Sequence, residues 1–336
     1  MSLPGVLVTH PADRLSEYFG DEALACLRRI AQVRLNPSNA DLSGPALVQA
    51  AHGCQVMIAY RQTSLDASTL QAMPELLAVV RCAVDIRTID VPAASRHGIL
   101  VTRSSAGFMA SVSEWILAAM IDLSRGISRA AAIYSAGRQP VPQMGRELRG
   151  ATLGVIGYGQ ISRYLCPLAA AFGLRVLVND PFLPAHETAV RSTDLPDLLS
   201  QSDYVVCLAP ANAETEKLIN AAAFARMKQG AFFVNASRGN LVDDVALLDA
   251  LNSGHLAGAA LDVGRAPDQM PSLELASHPL VLASPHIGGL TLPAIQHQSL
   301  ETVAQTDSIL RGQVPVGAVN ADAAHRLANL KTAAKV

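Results

Sequence analysis

Four residue types stand where chemistry is possible. His286 follows the apolar run PLVLAS (279–284) and Pro285, and precedes Ile287 and two glycines, so a titratable imidazole sits at a strand edge with bare backbone beside it. Imidazole changes charge closest to neutral pH, which suits it to give a proton to a carbonyl oxygen during reduction, or to take one back. Arg238 closes the run AFFVNAS (231–237), ahead of a helix expected to begin near Asp243. A guanidinium at the carboxyl edge of a parallel strand matches a carboxylate or a polarised carbonyl with its planar fork. The pair Gly157-x-Gly159 ends the run TLGVI and opens a helical pattern, and Asp180 closes the next apolar run, LRVLVND (174–180).

The glycine pair has a physical reading. Glycine at 157 permits a tight turn, glycine at 159 lets backbone approach a pyrophosphate, and the following helix N-terminus offers N–H donors and a positive dipole end. Asp180 would accept hydrogen bonds from the adenine ribose diol. With no arginine beside it, Asp180 would repel a 2′-phosphate, which favours NAD(H) over NADP(H). Ser162 replaces the third glycine of the fingerprint, a position that serves helix packing and tolerates a small residue. Each signal has a plainer counterpart: an ordinary βα turn for the glycines, a solvated loop residue for Arg238, and a structural role for the histidine, as expected for the other eight of nine. The register of strand, helix and acid weighs against the plainer reading of the glycines.

The elements that must position these residues are visible as short apolar runs, each followed by a helical-period segment: GVLVT (5–9), QVMIAY (55–60), LLAVVRC (76–82), TLGVIG (152–157), LRVLVND, DYVVCLAP (203–210), AFFVNAS, AGAALDV (257–263) and PLVLAS. Near-continuous apolar strands alternating with helices imply an α/β fold whose parallel sheet is covered on both faces. The pattern runs to about residue 102 and restarts near 151. Between these lies SVSEWILAAMIDLSRGI (111–127), apolar around most of its circumference and expected to be buried between domains. GRQPVPQMGRELRG (137–150) reads as an irregular connector near the domain boundary.

Composition sets the outer bounds. A chain of 336 residues, 50% hydrophobic and 16% charged, supports two large cores and excludes a disordered chain. Its net charge of −2 supplies no electrostatic reason for a nucleic-acid or anionic-membrane partner. The five cysteines are scattered with no C-x-x-C spacing, so no metal site and no disulfide framework is expected, and a reducing cytoplasm fits. The first residues, MSLPGVLVTH, have no basic residue before the apolar stretch and read as a strand rather than a secretory signal. The charge-free stretch 278–300 is broken by three prolines and a glycine pair, which argues against a membrane span.

RELRGATLGVIGYGQI (146–161), the NDPF turn (179–182), ETEKLINAAAFARMKQGAFFVNASRGNLVDD (214–244), GAALDV (258–263), SPHIGGLT (284–291) and the tail LRGQVPVGAVN (310–320) together make the chain resemble the D-isomer-specific 2-hydroxyacid dehydrogenases. That family includes phosphoglycerate dehydrogenases and glyoxylate/hydroxypyruvate reductases. The resemblance implies a Rossmann NAD-binding domain (103–290) inserted into a discontinuous flavodoxin-like substrate domain (1–102 plus 291–336). It implies that His286 protonates the substrate oxygen as hydride arrives and that Arg238 holds the 2-oxo acid. Gln160 and Ile161 match the turn facing the pyrophosphate, and Ala236 and Asp262 match the nicotinamide side, where Asp262 binds the carboxamide. Ala209, Pro210, Thr215 and Gly288 are assigned to the cofactor as well, and Val84 and Asp85 to the loop whose amides hold the substrate carboxylate. A homodimer is implied, to which helix 111–127 would contribute.

Two departures bear on mechanism. Members typically carry x-x-Glu-Pro after GAALDVF, and that Glu supports the catalytic histidine; here the spacing from Asp262 to His286 is kept and Pro267 takes the Glu position. Asp268 is the candidate substitute, or else a solvated loop acid. In VVRCAVDIRTID (79–90) the family counterpart reads R-x-G-V-G-x-D-N-I-D, so Ala83 and Asp85 replace glycines and Arg87 and Thr88 replace Asp-Asn. An Asp side chain there would repel a substrate carboxylate unless it is turned away. In the following segment Arg103-Ser-Ser-Ala stands for the usual Asn-Thr-Pro-Gly. The expected function is NAD(H)-dependent interconversion of a 2-oxo acid and a D-2-hydroxy acid. The alternatives are a phosphoglycerate dehydrogenase, or a non-catalytic NAD(H)-binding regulator whose lost Glu records lost catalysis.

Overall fold

A computed structural model describes residues 3–183, 190–266 and 268–328. The chain divides into two compact units, Met1–Gly107 with Leu292–Val336, and Phe108–Thr291.

The first unit is a five-stranded sheet built from β1 (Gly5–Val8), β2 (Gln32–Leu35), β3 (Val56–Ala59), β4 (Ala78–Arg81) and β5 (Leu100–Arg103) in the order β2-β1-β3-β4-β5. Every pairing is parallel. This is the flavodoxin-like order, and it requires helices on both faces. Side chains alternate accordingly. Val6, Val8, Val56, Ile58 and Val80 share one core with Leu24 and Leu27 of helix Asp21–Ile30 and Val303 and Ile309 of helix Leu292–Leu310. Leu7, Met57, Val79 and Val101 pack on the other side with Leu47, Leu70, Ala93 and Ile99.

The second unit carries β6 (Thr152–Ile156), β7 (Arg175–Asn179), β8 (Arg191–Ser192), β9 (Tyr204–Cys207), β10 (Ala231–Asn235), β11 (Leu256–Leu261) and β12 (Val281–Ala283). Their order is β12-β11-β10-β9-β6-β7-β8, again all parallel. The order reverses direction between β6 and β9, the doubly wound switch point at which open α/β sheets bind ligands beyond their carboxyl ends.

Three strands escape the apolar-run reading: QVRL (β2), LVTR (β5) and RS (β8). All three lie at sheet edges, where one side lacks a neighbouring strand and polar residues are tolerated. The helix expected at 111–127 runs Met109–Arg125 and ends on Gly126 in the left-handed conformation at φ 64°, before a second helix, Ile127–Ser135. It differs from expectation in its surroundings. Val112, Ile116, Leu117, Ala119 and Met120 enter the second unit's own core beside Leu153, Leu165, Val206 and Phe232, because its apolar face covers the sheet that follows it. The irregular stretch 137–150 also belongs inside this unit, with Leu148 buried and Arg146 donating to the Gly230 carbonyl at 2.8 Å.

Candidate functional site

The residues singled out in the second unit gather at one edge of one sheet. Gly157 follows β6, Asp180 follows β7, Ala209 and Pro210 lie just past β9, Ala236 and Arg238 past β10, Asp262 follows β11, and His286 lies three residues past β12. Parallel strands all deliver their carboxyl ends to the same side. Neighbouring strands are about 4.8 Å apart, so β10, β11 and β12 place the starts of the Arg238, Asp262 and His286 segments within roughly 10 Å of one another.

The glycine turn fits a pyrophosphate. Gly157 has φ 90°, and a Cβ on it would come within 2.8 Å of the Ala209 backbone, so only glycine suits the position. A Cβ on Gly159 would meet nothing within 4 Å, which leaves room for close approach. Gly159 caps the helix Gln160–Ala171, so the Gln160 and Ile161 amides lie in its first turn, where orphan donors and the positive dipole end coincide. Ser162, in the third-glycine position, is buried and donates to the Gly157 carbonyl at 2.6 Å, tying the helix to the turn. The Arg163 guanidinium lies 4.5 Å from the centre of the Tyr158 ring. Asp180 accepts from the Tyr158 amide at 2.7 Å through one oxygen and from the Phe182 amide at 2.8 Å through the other. Each carboxylate oxygen accepts two hydrogen bonds, so capacity for a ribose diol remains.

Asp262 organises the opposite end. It is 4% exposed, and its carboxylate accepts from the Ser284 hydroxyl at 2.6 Å, the Ile287 amide at 2.8 Å and the Gly288 amide at 2.8 Å. Those bonds straddle His286, whose φ of 55° is in the left-handed region that L-residues avoid. Such strain costs about 1–3 kcal/mol and persists only where surroundings over-determine it. The Gly288 position admits no side chain, since a Cβ would fall 2.8 Å from the Asp262 carboxylate, with Trp115 on its other side at 3.6 Å. Arg238 is half-buried in extended backbone, and its carbonyl accepts from the Asn235 side chain at 2.9 Å.

The turn after Arg238 is fastened by a residue that the sequence reading did not single out. Arg265 donates to the Val242 carbonyl through Nε at 3.2 Å and Nη2 at 2.8 Å, to the Asn240 carbonyl at 3.0 Å and to Glu216 at 2.8 Å. The Arg265 hydrogen bond holds the Glu216 carboxyl below its ordinary range. A Cβ on Gly239 would come 2.1 Å from the Gly264 carbonyl carbon, so loop 264–265 lies directly on the Arg238–Gly239 turn. Of the remaining assignments, Thr215 shapes its loop by donating to the Pro210 carbonyl at 2.7 Å, and Ala236 is half-buried. Asp268 is exposed and accepts from the Met270 amide at 3.0 Å, a turn within its own loop. Pro267 lies outside the described residues.

In the first unit, Val84 and Asp85 stand in the loop beyond β4, at the carboxyl edge of that sheet. Arg81 below them is fully buried and bonds the Tyr60 carbonyl, the Thr63 carbonyl at 2.9 Å and the Thr88 hydroxyl at 2.5 Å. Burial lowers its pKa to about 10, against which the Asp85 charge acts; it stays cationic at neutral pH. A cavity of about 490 Å³ lined by Pro4, Gln32, Arg34 and Cys54 lies at the opposite, amino edge of this sheet and brings no catalytic grouping together. Among the described residues no three His, Cys, Asp or Glu side chains gather as a metal site, and no helix is long and apolar enough to cross a membrane.

Comparison with known proteins identifies the family. Residues 117–288 match the family described as "D-isomer specific 2-hydroxyacid dehydrogenase, NAD binding domain". The chain belongs to this family. It is an NAD-dependent oxidoreductase of the D-2-hydroxyacid dehydrogenase type, with NAD(H) as cofactor, as the resemblance implied. The (S)-sulfolactate dehydrogenase of Chromohalobacter salexigens is 34% identical over 295 residues, covering 86% of this chain and 94% of that protein. The D-3-phosphoglycerate dehydrogenase of Bacillus subtilis is 32% identical over 273 residues, 80% of this chain but only 52% of that one, so the chain spans about half its length. A crystal structure of a D-isomer-specific 2-hydroxyacid dehydrogenase from Polaromonas superposes with a TM-score of 0.87 at 24% identity, over 94% of this chain and 99% of the other, which establishes the shared fold.

Proposed function

We propose that this dehydrogenase interconverts a small 2-oxo acid and its D-2-hydroxy acid, with Arg238 as the substrate-holding cation and His286 as the general acid and base. The observation that carries the assignment is the placement of the two residues beyond the two parallel strands, β10 and β12, that flank β11 in one sheet, on either side of buried Asp262. NADH, when bound, supplies the hydride that reduces the carbonyl carbon. His286 then gives its ring proton to the carbonyl oxygen, while the Arg238 fork holds the carboxylate and stabilises charge developing on oxygen. In the oxidative direction the neutral imidazole takes the hydroxyl proton. Asp262 holds the His286 turn. Gly157, Gly159, Gln160 and Ile161 receive the pyrophosphate and Asp180 the ribose diol; Ala209, Pro210, Thr215, Ala236, Asp262 and Gly288 line the rest of the cofactor's course.

With Pro267 in place of the family Glu and Asp268 exposed in its own turn, we assign the imidazole no carboxylate partner from these two positions. We also propose a homodimer and a cytoplasmic location. Ile127, Tyr134, Val141 and Met144 are exposed large apolar side chains that a second copy could cover, and five free cysteines fit a reducing compartment. Sedimentation of the purified protein tests the first point.

The decisive experiment is steady-state NADH oxidation with glyoxylate, hydroxypyruvate, pyruvate, 3-phosphohydroxypyruvate and bulkier 2-oxo acids, in wild type and His286→Ala. Turnover lost in the variant while NADH still binds supports the assignment. Wild-type protein that binds NADH but turns over none of the panel points instead to a regulator.

A further inference from the structure

The exit of β11 reaches the turns on both sides of it. On one side Asp262 accepts from the Ile287 and Gly288 amides and so holds the His286 turn. On the other side Arg265 holds the turn after Arg238, and every nitrogen of its guanidinium takes part. Nε and Nη2 donate to the Val242 carbonyl, Nη2 also donates to the Asn240 carbonyl, and Nη1 donates to Glu216. The other Glu216 oxygen accepts from the Asn240 side chain at 3.2 Å, which closes the network. The Lys217 amide donates to the Asn240 carbonyl at 2.8 Å, so backbone joins the two loops as well.

Close packing supports these bonds. Gly264 stands where the family pattern GAALDVF has phenylalanine. A Cβ on Gly264 would fall 2.1 Å from the Met270 carbonyl oxygen, and one on Gly239 would fall 2.1 Å from the Gly264 carbonyl carbon, so backbone lies on backbone with no room for a side chain. From the opposite flank the Asn235 side chain donates to the Arg238 carbonyl at 2.9 Å. The Arg265 side chain is only 30% exposed. An exposed ion pair with Glu216 alone would contribute little, but bonds to two backbone carbonyls of one turn fix where that turn lies.

We propose that Arg265, with Glu216, is a positioning residue for substrate binding: it braces the Arg238 turn from the β11 exit as Asp262 braces the His286 turn. The inference rests on the assignment of Arg238 to the substrate carboxylate, and every residue of the brace belongs to the second unit. Releasing the turn lets the Arg238 fork drift from the geometry that meets both carboxylate oxygens, and losing one of two charge-assisted hydrogen bonds weakens binding about 10-fold.

Kinetics of the full-length enzyme with a 2-oxo acid that it turns over test this. Arg265→Ala is expected to raise KM about 10-fold with kcat changed less than about threefold, the pattern of lost ground-state binding. Arg265→Lys, whose ammonium cannot span the same acceptors, should fall between the two. NADH affinity should stay within about threefold, because Thr215 keeps its own bonds to Pro210 and Asn212. Amide exchange at Leu241 and Val242 should quicken. An unchanged KM in Arg265→Ala overturns the brace. A parallel loss of NADH affinity also overturns it, since Arg265 would then serve the unit as a whole. If Arg265→Ala does not fold, Arg265→Lys and Glu216→Gln take its place, and an unchanged KM in both overturns the brace. Arg238→Ala separates this failure from failure of the site. If Arg238→Ala raises KM while Arg265→Ala does not, the brace alone is wrong; if Arg238→Ala leaves KM unchanged, Arg238 does not hold the substrate, and the brace falls with that assignment.

Discussion

Replacing Asp262 with alanine should release the His286 turn. Its carboxylate takes three hydrogen bonds, from the Ser284 hydroxyl and the Ile287 and Gly288 amides, at 2.6, 2.8 and 2.8 Å. Hydrogen bonds to a charged group contribute about 1.5–3 kcal/mol each, so the gross sum is roughly 4.5–9 kcal/mol. Holding a carboxylate that is 4% exposed costs several kcal/mol of desolvation, which leaves a net of about 3 kcal/mol. After substitution the exposed Ile287 amide regains water while the buried Gly288 amide does not, and the bonds that flank the left-handed backbone at His286 are lost. About 3 kcal/mol corresponds to roughly two decades in a local opening equilibrium. Amide hydrogen exchange read at residues 287 and 288 should therefore speed up on the order of 100-fold, with protection in β6 and β9 unchanged, and kcat should fall more than in Ser284→Ala, which removes one of the three bonds. Unaltered exchange at 287–288 together with wild-type kcat would refute the view that Asp262 holds the His286 turn.

Further outcomes follow from individual positions. His286→Gly and His286→Ala should both be inactive, yet the glycine variant should be the more stable by about 1 kcal/mol, since φ 55° costs a side chain and not glycine; thermal melts compare them. Gly157→Ala should abolish NADH binding and lower stability, because the added Cβ would lie 2.8 Å from the Ala209 backbone; calorimetric titration and melting check both. Asp180→Ala should weaken NADH binding by about 10-fold or more while the fold persists, read by fluorescence of the single tryptophan, Trp115. His10, fully buried against Phe19 and Tyr60, has its pKa lowered to about 3 by burial and by the nearby Arg81 charge. The unfolded chain, protonating near pH 6.5, binds that proton first, so stability is fully present above about pH 6.5 and is lost as pH falls toward 3, by up to about 1.4 kcal/mol per pH unit. His10→Phe should flatten this slope in denaturant titrations between pH 6 and 4.

Much of this protein was readable along the chain because the signals are local. A strand buried on both faces must be apolar throughout, so nine of the twelve strands among the described residues announce themselves, and the glycine pair, Asp180, Arg238, Asp262 and His286 sit just past strand ends. The three missed strands lie at edges; β2 and β8 are exposed or partly exposed, where burial places weaker demands on composition, whereas β5 is buried at Leu100, Val101 and Thr102 but short and half polar. Tertiary structure alone decided the rest. Apolarity could not tell a helix buried between domains from one buried within its own, so Met109–Arg125 was located only by its packing on Leu153 and Phe232. The left-handed backbone at His286, the three bonds that Asp262 sends around it and the Arg265 clamp beneath Arg238 depend on residues 22 to 49 positions apart. Local sequence sets which groups a strand end carries, because backbone conformation and burial are short-range demands. Which groups face one another is set by strand order, because packing brings together residues that the chain keeps apart.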